Sequence, residues 1–127
     1  MAKVDLTVEV CGTAGDGTIA AGGLLNEAMS VGGFSVLGFD SYPAEIRGFG
    51  RCVTRSRVGT EEIVALEDET HVLISLDDEQ SRSRVPSLAH DAVVFFDSKP
   101  PVFRDESQSL AAQVEAGVLL YAMPFTD

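Results

Sequence analysis

The sequence predicts a single α/β domain over residues 1–127, with a mostly parallel sheet flanked by helices. Three observations carry this expectation. An apolar run at residues 6–11 passes at once into a glycine-rich turn and then into a helical pattern. Two later apolar runs, at 71–76 and 92–96, have the unbroken character of strands buried on both faces of a parallel sheet. Strands alternate with helices or loops over the whole length, without internal repeat or low-complexity block. At 127 residues the chain is long enough to bury one real core.

The first strand reads Leu-Thr-Val-Glu-Val-Cys, and the turn after it is Gly12-Thr13-Ala14-Gly15-Asp16-Gly17. A helix is expected from Thr18 to about Val31. Its Ala21, Leu24, Leu25, Ala28 and Val31 fall at helical spacing and predict one apolar stripe. Gly32-Gly33 end it, as glycine does past a helix C-terminus. A second strand follows at 34–39 and closes on Asp40. This unit of about 35 residues has the size of a βαβ crossover, with parallel strands and right-handed connection. The architecture is Rossmann-like.

Residues 41–50 form a loop rich in turn formers, and 51–58 alternate as a strand. Residues 60–69 are ambiguous between strand and helical turn. Asp77-Asp78 are expected to cap a short helix over 79–85, which Pro86 would stop. A loop at 99–101, a helical turn at 110–115 and a last strand at 118–123 complete the chain. A parallel sheet wants a covering helix after such a strand, so C-terminal helices are expected to be lacking here.

Net charge is −11. Nucleic-acid binding rests on cationic contacts to phosphate, and this balance argues against it. It argues equally against an anionic membrane surface. No signal-type apolar region opens the chain and no apolar run approaches ~20 residues, so a cytoplasmic location is expected. The two cysteines, Cys11 and Cys52, form no C-x-x-C pair. No iron–sulfur or zinc site can be built from them alone, and small buried hydrophobes are the simplest role.

The turn from Gly12 to Gly17 is the first candidate site. Glycines permit a tight backbone turn and close approach of a ligand. The helix behind it presents unpaired N–H groups and a positive dipole end, which suits a phosphate or carboxylate. The order is G-x-x-G-x-G rather than the dinucleotide G-x-G-x-x-G, and no Lys-Ser or Lys-Thr follows Gly17 to make a P-loop. Close helix–strand packing, favoured by Gly22 and Gly23, is the competing explanation. Asp40 could hold a ribose or simply cap a turn.

The second candidate is basic. Arg47, Arg51, Arg55 and Arg57 fall within 11 residues of an acidic chain, and three of them share one strand face. Such a surface meets an anion or an acidic partner, or it is a solvated edge strand protected by charge. His71 and His90 are isolated; His71 heads a buried strand and reads as structural.

Two segments together carry a resemblance. Gly12-Thr-Ala-Gly-Asp-Gly17 with the following Ala-Gly-Gly resembles the G-x-x-G-x-G…AG opening of the gamma domain of 2-oxoacid:ferredoxin oxidoreductases. Ser41-Tyr-Pro-Ala-Glu-Ile-Arg-Gly48 is similar to that domain's Y-x-x-E-x-R-G-G segment. The runs ending at Asp77 and Asp97 resemble its next two strands. Ala14 and the Ser-Tyr-Pro start look like the 2-oxoglutarate-type subgroup, where this domain opens a longer subunit. Phe49 departs from the second glycine of R-G-G, and the family's Y-P-I-T-P segment is absent.

The resemblance implies a division of labour. Family complexes decarboxylate a 2-oxoacid on thiamine diphosphate with Mg, pass electrons through iron–sulfur clusters to ferredoxin, and form an acyl-CoA. This chain would hold none of these cofactors alone. It would pack beside thiamine-binding alpha and beta subunits, near the substrate and coenzyme A region, with ferredoxin an indirect partner. Gly12, Thr13, Ala14, Gly15, Asp16, Gly17 and Arg47 are the expected binding residues, with Arg47 facing an anion or an interface. A stand-alone NAD(P)-binding reductase and a non-enzymatic binding module are the alternatives.

Overall fold

The computed structural model describes residues 3–13, 17–41, 51–65, 68–97 and 117–123. Among them run six strands: β1 (Asp5–Thr13), β2 (Ser35–Ser41), β3 (Arg51–Gly59), β4 (Thr70–Ser75), β5 (Leu88–Asp97) and β6 (Leu119–Met123). Helix α1 spans Thr18–Val31, α2 spans Asp78–Ser81, and a 3₁₀ segment follows at Arg82–Ser87. The expected loops at 42–50 and 99–101 and the helical turn at 110–115 lie outside the described residues. At 60–65 no strand or helix forms.

The strands make one sheet in the order β2-β3-β1-β4-β5-β6. β1, β4, β5 and β6 are mutually parallel, while β3 runs antiparallel to both β1 and β2. β1 and β2 are therefore parallel, as expected, but β3 lies between them. This overturns the edge-strand reading of the arginine segment: β3 is hydrogen-bonded on both sides.

Helix α1 begins and ends where the sequence places it. Gly32 N–H donates to the Ala28 carbonyl at 3.0 Å, and Gly33 takes a left-handed φ of +95°. The face it buries differs from the expected stripe. Thr18 and Gly22 are buried, and Leu25 and Met29 are half-buried, while Leu24 is 70% exposed and Val31 84%. The choice is made by backbone approach. At Gly22 a Cβ would sit 2.6 Å from Thr54 Cβ, so only glycine lets α1 settle on β3. Gly23 has open space at that position and carries no such constraint. One turn further on, the Ser56 hydroxyl of β3 donates to Asn26 Oδ1.

The opposite face holds the core cluster of Cys11, Val53, Leu73 and Val94, with Val85, Leu88, Phe96 and Val118 packed against it. Asp77 caps α2 as expected, its Oδ1 accepting from Gln80 N–H at 3.2 Å. Pro86 does not stop the segment. It sits inside the 3₁₀ stretch, which lacks the i−4 ladder that proline breaks.

On the α1 face, register aligns two apolar rows across the sheet: Val8–Val72–Val93–Leu119 and Val10–Ile74–Phe95–Tyr121. Burial falls along them. Val10 is 2% exposed beneath α1, whereas Leu119 is 53% and Tyr121 49% exposed on β6. Phe95 and Tyr121 stack with ring centroids 5.5 Å apart.

Candidate functional site

The C-terminal ends of parallel β1 and β4 lie side by side, since Cys11 pairs with Ser75. Ligands of open α/β sheets bind beyond such ends. Gly12 and Thr13 belong to β1 itself rather than to the turn, and Gly17 opens α1 with a left-handed φ of +81°. Because β3 is antiparallel, its first residue reaches the same edge: Thr13 pairs in register with Arg51. Thr13 and Arg51, 38 positions apart in the sequence, thus share one edge. Ala14, Gly15, Asp16 and Arg47 lie outside the described residues.

The edge is tied together by side chains. The Thr13 hydroxyl donates to Asp77 Oδ2, and Leu76 N–H donates to the Cys11 carbonyl at 2.8 Å. Arg51 is exposed and its guanidinium donates to the Ser83 hydroxyl. At the head of α1, Thr18 is 3% exposed and its hydroxyl has no hydrogen-bond partner among the described residues. Buried hydroxyls are normally satisfied, so this one is available to a bound group or water.

The other arginines of the strand face turn inward, which corrects the expectation that they jointly meet an external anion. Arg57 forms a bidentate pair with Asp5 at 2.9 and 2.7 Å, and this bond holds the Asp5 carboxyl below its ordinary range. Arg55 Nε lies 3.4 Å from Glu9 Oε2. Glu9 is fully buried, accepts from Thr70 Oγ1 at 2.8 Å, and is also paired with Arg84. The sequence signal for this centre was Glu9, a carboxylate inside an apolar strand, together with the basic Arg82-Ser-Arg84 stretch. A buried charge requires a partner, and only the fold supplies its address.

His71 is structural, as expected. Its Nδ1 accepts from Thr7 N–H at 3.0 Å, and its Nε2 lies 3.4 Å from Glu69. Cys11 and Cys52 are free and buried. Cys11 pairs with Val53 and Gly12 with Cys52, so the two side chains leave the sheet on opposite faces. Burial pushes the Cys11 thiol up to about 11, against a lowering hydrogen bond from Ser81. Iodoacetamide at about pH 8 is expected to leave Cys11 unmodified in the folded domain and to react after urea is added. Mass spectrometry reads this, and rapid native labelling would contradict the burial.

Asp40 does not stand where a ribose ligand would. With β3 inserted, β2 lies two strands from β1, about 10 Å from the turn edge. Asp40 instead lines a shallow depression of about 410 Å³ with Asn26, Glu27, Ser30, Val36 and Gly38. Among the described residues no group of three His, Cys, Asp or Glu could hold a metal, and no helix is long and apolar enough to cross a membrane.

The pyruvate ferredoxin/flavodoxin oxidoreductase family model matches residues 7–127. The chain belongs to this family. No curated protein matches it by sequence. Among solved structures, 2-oxoglutarate:ferredoxin oxidoreductase from Magnetococcus marinus, with 2-oxoglutarate, coenzyme A and succinyl-CoA bound, superposes with a TM-score of 0.78 at 24% identity over 94% of the chain. Pyruvate oxidoreductase subunit PORC from Thermotoga maritima gives 0.66 at 21% identity, again over 94%. The gamma subunit of the keto/oxoacid ferredoxin oxidoreductase from Geobacter sulfurreducens gives 0.67 at 20% identity over 94%. This family member therefore has the α/β fold of the gamma subunits. It spans 20% of the Magnetococcus chain, 62% of the Thermotoga chain and 61% of the Geobacter chain.

Proposed function

We propose that this family member is the gamma domain of a cytoplasmic, thiamine diphosphate-dependent 2-oxoacid:ferredoxin oxidoreductase of the 2-oxoglutarate type. In the assembled enzyme the edge formed by the glycine turn and Arg51, with Arg47 upstream, faces coenzyme A at the boundary with the thiamine-binding subunits. The observation that carries this reading is the register pairing of Thr13 with Arg51, which brings a cation to the sheet edge where β1 ends, in a chain of net charge −11. The unpartnered Thr18 hydroxyl at the head of α1 supports it. The two cysteines, on opposite faces, offer no cluster ligand set, so in this reading the iron–sulfur chemistry falls to other parts of the enzyme.

The β6 side supports a place within a larger assembly. Apolar side chains as exposed as Leu119 and Tyr121 on an edge strand are what a covering segment or partner removes from water.

Co-expression with thiamine-binding alpha and beta subunits is the test. The chain is expected to co-elute with them on size exclusion, and the complex to reduce ferredoxin only with a 2-oxoacid and coenzyme A present. The isolated chain is expected to be inactive. A chain that stays unassociated overturns the proposal. The NAD(P) reading predicts heat on titration with millimolar NADH; the displaced Asp40 argues that none will be seen.

A further inference from the structure

Strand β2 closes the sheet on one side, and among the described residues its outer edge is unpaired. Exposed edges are normally guarded against further pairing by lysine, proline, a bulge or extreme shortness. β2 has none of these. It reads Ser-Val-Leu-Gly-Phe-Asp-Ser and holds an unbroken register with β3 from Ser35 to Ser41. Gly38, Phe39, Asp40 and Ser41 are all exposed.

The two faces of this edge differ. On the α1 face Val36, Gly38 and Asp40 pair with Val58, Ser56 and Thr54. The amide of Asn26 lies over Gly38, where a Cβ would come within 2.6 Å of Nδ2. Glu27 and Asp40 line the depression beside it. Both are exposed, and neither has an ion pair or hydrogen bond among the described residues. On the other face Leu37 is half-buried and Phe39 is 63% exposed. A strand that fits both faces turns a basic side chain to the carboxylates and an apolar one to Phe39.

A second copy of the chain does not have that chemistry. Antiparallel pairing of two β2 strands centred on Gly38 would set each Asp40 opposite the other copy's Val36. It would also gather both copies' Glu27 and Asp40 on one face, between chains of net charge −11. Charge therefore selects a basic occupant. Position points the same way. Val10, Thr54 and Asp40 lie in one row across β1, β3 and β2, and β2 runs parallel to β1, so this end of β2 adjoins the sheet edge that carries Thr13 and Arg51.

We propose that the outer edge of β2 receives an extended segment of a thiamine-binding partner subunit, paired as an added strand. That segment places a basic side chain between Glu27 and Asp40 and an apolar side chain against Phe39. The proposal rests on the reading of this chain as a gamma domain and names the surface and chemistry by which it docks.

The test is hydrogen exchange followed by mass spectrometry on the isolated chain and on its co-purified complex with thiamine-binding alpha and beta subunits. Exchange in the peptide spanning residues 35–41 is expected to slow at least about tenfold on assembly, since an added strand takes up the outward N–H groups. The double variant Glu27→Gln with Asp40→Asn, both at exposed positions, is expected to keep its circular dichroism and to bind the subunits about tenfold more weakly at low salt. Raising sodium chloride to 0.5 M is expected to weaken wild type more than the variant. If the complex forms and residues 35–41 exchange as before, this proposal falls while the gamma-domain reading stands. Equal affinity of variant and wild type also overturns it, because the occupant is then not basic. Concentration-dependent protection of 35–41 in the isolated chain would make a second copy the occupant and overturn it as well. If no complex forms, both readings fall.

Discussion

Replacing Glu9 by alanine is expected to lower the unfolding free energy by about 3–5 kcal/mol, the usual cost of breaking a buried ion pair by removing one member. Glu9 is 0% exposed and is the shared partner of Arg55 and Arg84, whose side chains are each 18% exposed. Without the carboxylate two guanidiniums face each other in a low-dielectric interior, and the Thr70 hydroxyl loses its acceptor. Domains of this size are stable by roughly 5–15 kcal/mol, so this single change removes a large share. Urea titration followed by circular dichroism measures it. Glu9→Gln keeps the shape and an acceptor oxygen while losing the charge, and a smaller loss of about 1.5–3 kcal/mol is expected. An alanine variant within 1 kcal/mol of wild type would mean that water reaches this centre.

The second large effect lies at the α1–β3 contact. Glycine in a helix interior ordinarily costs about 1 kcal/mol relative to alanine, so Gly22→Ala would be stabilising on propensity alone. The packing reverses the sign. The new methyl would overlap Thr54 Cγ2 and sit 2.8 Å from Oγ1 and 2.6 Å from Cβ. Thr54 is buried and β-branched, so it has no rotamer to retreat into. Overpacking of this kind typically costs about 1–3 kcal/mol. Net destabilisation is therefore expected from Gly22→Ala, and a larger one from Gly22→Val. The double variant Gly22→Ala with Thr54→Ala should recover only part of the loss, because residue 54 keeps its Cβ. Full additivity of the two changes would show that α1 does not rest on Thr54 at this point.

The identity of these positions shows how far local pattern carries. The strand cores at 6–11, 71–76 and 92–96 were legible because unbroken apolar runs have few alternatives in an α/β chain. So were the limits of α1, since a glycine-rich start and a Gly-Gly stop are local signals. The apolar stripe of α1 was misjudged. Ala21, Leu24, Leu25, Ala28 and Val31 satisfy a helical period, but Gly22, which the hydropathy pattern ignores, decides which side approaches the sheet. Close backbone approach outweighs methyl count when the facing strand carries a buried threonine.

The arginines tell the same story from the charge side. Their shared strand face was readable from alternation, and that face does exist. What the alternation could not state is that the strand sits inside the sheet. There, two of its three cations meet Asp5 and Glu9 on β1, and Arg51 alone stays exposed at the edge.

By itself the sequence determined the α/β class, the place of each strand core, the limits of α1 and the family resemblance in its two motifs. All of these are encoded within about a dozen neighbouring residues. Only the tertiary structure decided that β3 inserts antiparallel between β1 and β2, that Glu9 finds Arg84 from 75 positions away, and that Thr13, Arg51 and Asp77 share one edge. Those contacts depend on strand order, and strand order is set by the summed packing of both sheet faces, which no short window of residues contains.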